Sequence, residues 1–117
     1  MTMRLLPYIL VIPALLLISG CSEPTEPAEV AEAFLAELAD ADIQEAKAYA
    51  SPDTHKLLEL AQKFGQTPKH DDFEFTLVEE KVQGDLATVI YTNHQGNNKP
   101  VHLKKIDGKW KVHEKKQ

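Results

Sequence analysis

The spacing of apolar residues changes twice along the chain. An apolar, uncharged run occupies residues 5–18, apolar residues then recur every three or four positions between residues 28 and 64, and from residue 73 they recur at every second position. A spacing of three to four positions is typical of a helix with one apolar face, and a spacing of two is typical of a half-buried strand. The pattern therefore predicts an apolar leader, a helical region and a sheet, in that order.

Two helices are predicted between residues 27 and 50. Pro27 suits the first turn of a helix, where its missing N–H group is not needed. The apolar face of this first helix carries Val30, Phe34, Leu38 and Ala41. Asp42 followed by Glu45 has the spacing of a capping box, which predicts a second, short helix that runs through Ala50.

A third helix is predicted after Ser51-Pro52, a capping hydroxyl followed by a proline. Gly65 is a natural stop for this helix. The apolar residues of the helix are Leu57, Leu60, Ala61 and Phe64. Their spacing of three and four positions predicts an amphipathic helix with one apolar face.

Four strands are predicted from residue 73 onwards. The first alternates from Phe73 to Leu77, and a bulge near Glu79-Glu80 reconciles this alternation with the opposite parity of the apolar residues around it. Asp107-Gly108 is the signal of a two-residue hairpin turn between the third and fourth strands. These strands follow three helices, so the chain predicts an α+β domain in which N-terminal helices pack on one curved four-stranded antiparallel sheet.

The hairpin turn also predicts the register of the last two strands. A two-residue turn pairs Leu103 with Val112 and Lys105 with Trp110. The inward-facing set of the sheet is then Phe75, Leu77, Ala87, Val89, Tyr91, Val101, Leu103, Trp110 and Val112, with Lys105 at its margin. This set contains no carboxylate, which argues against an acid–base pair on the inner face of the sheet.

The N-terminal leader has the layout of a secretory signal, since Arg4 is the one charge before an apolar run that is too short for the roughly 20 residues of a spanning helix. The end of the run, Ile18-Ser19-Gly20-Cys21, resembles the lipobox of bacterial lipoproteins. The resemblance implies cleavage between Gly20 and Cys21 and a lipid on Cys21. An ordinary signal peptide that happens to end near a cysteine is the alternative reading. By resemblance to Gram-negative lipoproteins, Ser22 and not Asp directly after the cysteine favours delivery to the outer membrane, with the domain in the periplasm.

Three segments follow from these patterns. Residues 1–20 are a lipoprotein signal peptide, residues 21–27 are a lipidated cysteine and a short acidic and proline-rich tether, and residues 28–117 are the α+β domain. Cys21 is the one cysteine of the chain, so no thiol remains for an internal disulfide. We expect packing alone to hold the domain.

The mature chain also resembles a known family. The acidic and proline-rich tether, the helix around residues 30–38, the segment 41–51 and the ending Ile106–Val112 resemble small bacterial lipoproteins with a domain of unknown function. Their domain is similar to the cystatin-like fold of nuclear transport factor 2. That resemblance implies a cone-shaped half-barrel wrapped around the first helix, but a shared fold does not transfer an activity.

Few residues suggest chemistry. Tyr49, Tyr91 and Trp110 are candidates for a cavity in the cone, although aromatic residues at these spacings more often pack in a core. The predicted register places His102 opposite His113 on the outer face, where two imidazoles could share a zinc ion, but a third ligand is missing, since Glu114 is expected to point to the other face. We therefore predict no catalytic residues, no metal and no cofactor.

Charge limits the partners. The chain has a formal net charge of −5, which excludes a general nucleic-acid binder. Six lysines nevertheless cluster in the last hairpin and tail, where they could meet anionic headgroups or an acidic partner: Lys104, Lys105, Lys109, Lys111, Lys115 and Lys116. Solubilising lysines on a sheet face and edge are the plainer explanation.

Two functions remain open. In the first, the protein is a membrane-anchored envelope lipoprotein, not an enzyme, whose domain binds an envelope protein or a small ligand. In the second, it is a ligand-binding protein or enzyme that uses the cone around Tyr49, Tyr91 and Trp110. An enzyme predicts an open cavity with a buried ionisable group, whereas an interaction module predicts a filled cone and an exposed apolar or charged patch.

Overall fold

A computed structural model describes residues 23–66 and 69–114 of the protein. Its elements are α1 (Pro27–Ala39), α2 (Ile43–Lys47), α3 (Pro52–Lys63), β1 (Thr76–Gln83), β2 (Leu86–Thr92), β3 (Asn98–Ile106) and β4 (Lys109–Val112). The four strands form one antiparallel sheet in the order β1-β2-β3-β4. The predicted α+β class is confirmed. The predicted signal peptide and Cys21 lie outside the described residues.

At the start of each helix, a side-chain oxygen accepts a hydrogen bond from a backbone N–H group. The Glu29 carboxylate accepts hydrogen bonds from the N–H groups of Thr25 and Glu26, at 3.0 and 3.2 Å, and these bonds lower the pKa of the carboxyl group. The Asp42 carboxylate accepts from the Glu45 N–H at 3.1 Å, and the Ser51 hydroxyl from an N–H in the first turn of α3 at 3.3 Å. The predicted helix starts are therefore supported by the cap geometry.

The second helix is shorter than predicted. It ends at Lys47, because the chain after it leaves the helix and pairs with β4. Val112 donates its N–H to the Tyr49 carbonyl, and its own carbonyl accepts from the Ser51 N–H, both at 2.8 Å. This short parallel bridge covers the outer edge of β4, so the free edge of the sheet is that of β1.

The core lies between α1 and the inner face of the sheet. Its fully buried apolar side chains are Val30, Ala31, Phe34, Ile43, Ala46, Ala50, Leu58, Ala87, Val89, Val101, Leu103 and Val112. Phe75, Tyr91 and Trp110 are partly buried against this cluster. The first helix therefore packs on the inner face of the sheet, although Leu77 of the predicted inward-facing set is 48% exposed.

The apolar face predicted for α3 is not the face that the helix buries. Thr54 and Leu58 are its buried residues, whereas Leu60 is 41% exposed and Phe64 is 66% exposed. The reason is that Thr54 anchors the first turn: its hydroxyl lies 3.1 Å from the Val112 carbonyl and accepts the Glu114 N–H at 2.9 Å. That anchor fixes the rotation of the helix and turns the Leu60 and Phe64 side of it to solvent.

The bulge in β1 lies slightly earlier than predicted. The register with β2 shifts between Leu77 and Glu79, so Val78 is the extra residue. This extra residue determines which face of the sheet each later residue of β1 occupies. Glu80 therefore faces the same side of the sheet as its buried partner Val89. The inner face thus carries a carboxylate that the sequence analysis did not place there.

The predicted hairpin register is confirmed. Leu103 pairs with Val112 and Lys105 pairs with Trp110. Asp107 and Gly108 both have positive φ, at 53° and 80°, as a type I′ turn requires. The ammonium group of Lys105 lies 5.4 Å from the centre of the Trp110 ring, within the range of a cation–π contact.

Candidate functional site

Three chain segments meet at one end of the sheet, which we call the turn end. Both tight turns, 84–85 and 107–108, lie there, and the Lys105 N–H donates to the Asp85 carbonyl at 2.7 Å. The start of α1 reaches the neighbouring part of β1, since the Ala28 N–H donates to the Glu80 carboxylate at 3.0 Å. The residues that precede α1 therefore run past the turn end.

A cavity of about 430 Å³ opens at the turn end. The domain side of the cavity is formed by Val30, Tyr49, Gly108, Lys109, Trp110 and Lys111, and the chain segment 23–25 forms its other side. Tyr49 reaches this place because the chain leaves α2 to pair with β4, and Trp110 because the hairpin register directs it to the inner face. Two of the three aromatic residues singled out from the sequence thus share a cavity.

Tyr91 lies elsewhere. It lines a smaller cavity of about 170 Å³ with Leu35 and Phe73, and its ring stacks on Phe75 with the ring centres 4.8 Å apart and the planes 11° from parallel. Burial raises the pKa of the Tyr91 hydroxyl above its usual value of 10.0. The structure therefore divides the predicted cavity residues between two places.

The cavity at the turn end offers binding groups. Lys109 and Lys111 contribute two positive charges, Tyr49 and Trp110 contribute aromatic faces with one polar group each, and Glu23 is the one acid among the described lining residues. The Lys111 ammonium donates to the Ala48 carbonyl at 2.7 Å, which holds the lysine across the rim. This combination suits a ligand that is anionic at one end and apolar at the other.

Ionisable groups are not buried in the described part of the chain, where Ser51 and Thr54 are the buried polar residues. Glu80, the carboxylate on the inner face, is exposed and accepts the Ala28 N–H at the start of α1. That contact gives Glu80 a capping role at the positive end of the helix dipole. The opposite parity of Val78 and Val82 was the sequence signal for a bulge, but it did not specify the residue.

The two histidines predicted to oppose each other do so, since the His113 N–H donates to the His102 carbonyl at 2.8 Å. Their rings have different partners: Nδ1 of His113 lies 2.8 Å from the Ser51 hydroxyl, and Nδ1 of His102 lies 3.4 Å from the Glu114 carboxylate. The expectation that Glu114 points away was wrong, because its side chain bends back to the His102 backbone. Among the described residues, no group of three or more His, Cys, Asp or Glu side chains is placed so that it could hold a metal ion.

The free edge of β1 is apolar on both sides of the bulge. Leu77 and Val82 belong to the inner face but extend beyond the cover that α1 provides, and Val78 is exposed at the bulge. Leu86, the first residue of β2, is exposed beside them on the outer face. We call Leu77, Val78 and Val82 the edge patch.

Comparison with known proteins adds a likeness in fold. No protein-family model matches the chain, and no curated protein matches it. The chain is similar to a solved structure from Campylobacter jejuni described as an NTF2-like transpeptidase, with 24% identity, coverage of 76% of this chain and 98% of that chain, and a TM-score of 0.47. At this identity and TM-score the similarity carries no argument about activity.

Among the described residues, no helix is long and apolar enough to cross a membrane.

Proposed function

We propose that the protein is a bacterial envelope lipoprotein, anchored through a lipid on Cys21 in the outer membrane, whose α+β domain binds another envelope protein in the periplasm. The leader sequence supports the anchor: an apolar run ends in Ile18-Ser19-Gly20 directly before the one cysteine of the chain. Removal of the signal peptide between Gly20 and Cys21 leaves a tether of only a few residues before α1. The domain then stays close to the bilayer.

The observation that carries the binding role is the edge patch. An edge strand has unpaired backbone N–H and C=O groups, and an extended segment of another protein can add to it as a further strand. Leu77 and Val82 lie on the inner face next to that edge, so a fifth strand would cover apolar surface that α1 leaves open. The backbone bonds would supply affinity, and these two side chains would select two apolar residues of the partner, one on either side of the position next to Glu80.

Charges next to the edge patch limit what can pair with it. Glu79 and Lys81 lie on the outer face with their charged groups 3.9 Å apart. Such charges oppose indiscriminate edge-to-edge association. A partner strand that places a cation opposite Glu79 and an anion opposite Lys81 is the one that fits. We therefore expect one defined partner.

The anchor is tested by the mass and the location of the protein. The mature protein should begin at Cys21, carry the added mass of acyl chains and fractionate with membranes, and Cys21→Ser should lack the acyl mass. Wild-type protein that stays in the membrane without acyl chains, with its apolar leader uncleaved, would contradict the lipoprotein assignment.

The binding role is tested by photo-crosslinking in the native envelope. A benzoylphenylalanine residue in place of Val82 should give one discrete adduct, and the same residue in place of Gln95, in the exposed loop between β2 and β3, should not. The purified adduct partner should then bind the wild-type domain but not Leu77→Lys, whose circular dichroism spectrum should be unchanged. Equal adducts from both positions, or unchanged binding by Leu77→Lys, would contradict the edge patch as the binding surface.

A ligand-binding function has one observation in its favour, which is the cavity that Tyr49 and Trp110 share at the turn end. Native mass spectrometry of the lipidated protein, compared with its denatured mass, separates the two functions. A small mass other than that of a membrane phospholipid, lost on denaturation, favours a ligand-binding function of this cavity, whereas a stoichiometric protein companion favours the edge patch.

A further inference from the structure

The turn end combines three features that suit a surface facing a bilayer. The chain segment 23–25 lines its cavity, Lys109 and Lys111 line it as well, and so do the half-buried Trp110 and Tyr49. Tryptophan and tyrosine are enriched where protein meets the headgroup layer, because each combines an apolar ring with one polar group. The hairpin at this end carries Lys104, Lys105, Lys109 and Lys111 against the single acid Asp107.

The tether sets the distance of this surface from the anchor. Glu23 already lines the cavity, and it follows Cys21 by only two residues, which span at most about 7 Å. A lipid on Cys21 therefore holds the β3–β4 hairpin within reach of the headgroups of the same leaflet. The edge patch lies on the opposite edge of the sheet from β4, so both surfaces can be occupied together.

We propose that the cavity at the turn end binds the headgroup of an anionic phospholipid of the anchoring membrane, with Lys109 and Lys111 at its phosphate and Tyr49 and Trp110 at the glycerol and upper acyl region. This inference rests on the proposed lipid anchor. The Lys105 ammonium over the Trp110 ring fixes the orientation of the indole, and the hydrogen bond from Lys111 to the Ala48 carbonyl holds that lysine at the rim. Binding holds the domain on the bilayer with its turn end facing the lipid headgroups.

With the turn end against the bilayer, the free edge of β1 stays accessible to another protein alongside the domain. A flexible tether alone would let the domain tumble, whereas a second contact with the bilayer restricts it. Each lysine near an anionic surface contributes about 1 kcal/mol, which corresponds to roughly a fivefold change in the docked-to-undocked ratio. The turn end carries the four hairpin lysines against the acids Asp85 and Asp107 of its turns and Glu23 of its cavity, so the balance of charge favours the docked state.

Trp110 is the one tryptophan of the chain, so its fluorescence reports on the turn end alone. The full lipidated protein is reconstituted into vesicles of phosphatidylethanolamine, with or without an equal part of phosphatidylglycerol, that contain a lipid spin-labelled at its headgroup. We expect quenching of Trp110 in the vesicles that contain phosphatidylglycerol, and weaker quenching in phosphatidylethanolamine alone. High salt should reduce the difference.

The matched variants reverse one charge at either end of the β3–β4 pair. Lys109→Glu lies at the turn end, and Lys99→Glu lies near the other end of β3, where Lys99 pairs with Tyr91. We expect Lys109→Glu to reduce the docked-to-undocked ratio by well over fivefold, because one attraction is replaced by a repulsion, and Lys99→Glu to leave the ratio unchanged. Equal effects of the two variants, or equal quenching in both lipid mixtures, would overturn the proposal.

Flotation of the vesicles and the intact mass of the protein are measured on the same samples. Protein that floats and carries acyl chains but shows no quenching of Trp110 would overturn headgroup binding and leave the lipid anchor in place. Protein that neither floats nor carries acyl chains would overturn the anchor, and headgroup binding with it. Quenching that soluble glycerophosphoglycerol abolishes while the protein still floats would support a headgroup site in the cavity.

Discussion

The Glu80 carboxylate on β1 accepts a hydrogen bond from the Ala28 N–H in the first turn of α1, at 3.0 Å. The contact joins the edge strand of the sheet to the start of the core helix across 52 positions of the chain. It exists because the bulge at Val78 turns Glu80 to the inner face, where the N–H groups of the first helical turn lack partners of their own. One backbone irregularity thus places the carboxylate that joins the edge strand to the start of α1.

We expect Glu80→Ala to loosen the first turn of α1. A carboxylate at an exposed helix start contributes about 0.5 kcal/mol, so the global stability should change little, while amide hydrogen exchange at Ala28 should become faster. Glu79→Ala is the matched control, because Glu79 lies on the outer face of the same strand. Unchanged exchange at Ala28 in Glu80→Ala would mean that the contact does not stabilise the helix start.

Truncation should lower stability on one face of α3 and leave it nearly unchanged on the other. Leu58 is 7% exposed and belongs to the core, so Leu58→Ala should lower the free energy of unfolding by about 2 to 5 kcal/mol. Leu60 is 41% exposed, and Leu60→Ala should stay within about 0.5 kcal/mol of the wild type. Urea unfolding followed by circular dichroism measures both. A larger loss for Leu60 than for Leu58 would restore the apolar face that the sequence predicted.

Thr54 should be the polar residue on which the position of α3 depends. Its buried hydroxyl lies within hydrogen-bond distance of the Val112 carbonyl and accepts the Glu114 N–H, so Thr54→Val removes both contacts at nearly constant volume. The half-buried Glu114 N–H then lacks this acceptor, whereas the Val112 carbonyl still accepts the Ser51 N–H. The expected loss is about 1 to 3 kcal/mol in urea unfolding. Thr76→Val, at an exposed position of β1, is the control and should be nearly neutral. A neutral Thr54→Val would contradict the anchoring role.

Features of the fold that depend on local interactions are predictable from the sequence, whereas those that depend on distant contacts are not. The β3–β4 register was predicted correctly because the turn at Asp107-Gly108 determines it locally. The end of α2 was wrong because Tyr49 and Ala50 pair with a strand some sixty positions away, which no local pattern reveals. The prediction of which face of α3 is buried was wrong for the same reason, since that face depends on the contact of Thr54 with the last strand.

The candidate site was predictable only in part. Aromatic residues at Tyr49 and Trp110 were visible in the sequence, but their common cavity depends on the chain leaving α2 early and on the turn end meeting the tether. The carboxylate of Glu80 was missed because the alternation of β1 locates a bulge only to within a residue or two, and a shift of one residue exchanges the faces. The sequence shows the residue types of the site, but it does not show which chain segments lie close together in the fold.

Tyr91 should make the domain sensitive to alkali. Burial raises the pKa of its hydroxyl in the folded state above the usual value of 10.0, so the folded protein keeps this proton at a pH where the unfolded chain has lost it. Above pH 10 the unfolded state therefore binds fewer protons than the folded state, and the free energy of unfolding falls as the pH rises. Below that pH the group contributes no dependence on pH.

The measurement is urea unfolding at several pH values between 8 and 11 on the wild type and on Tyr91→Phe, which keeps the ring that stacks on Phe75. The variant should lose less stability over the last pH unit than the wild type does. Tyr49→Phe is the comparison, because it also removes one tyrosine hydroxyl but leaves Tyr91 in place. The same alkaline loss in Tyr91→Phe as in the wild type would mean that the Tyr91 hydroxyl is as hydrated in the folded domain as in the unfolded chain.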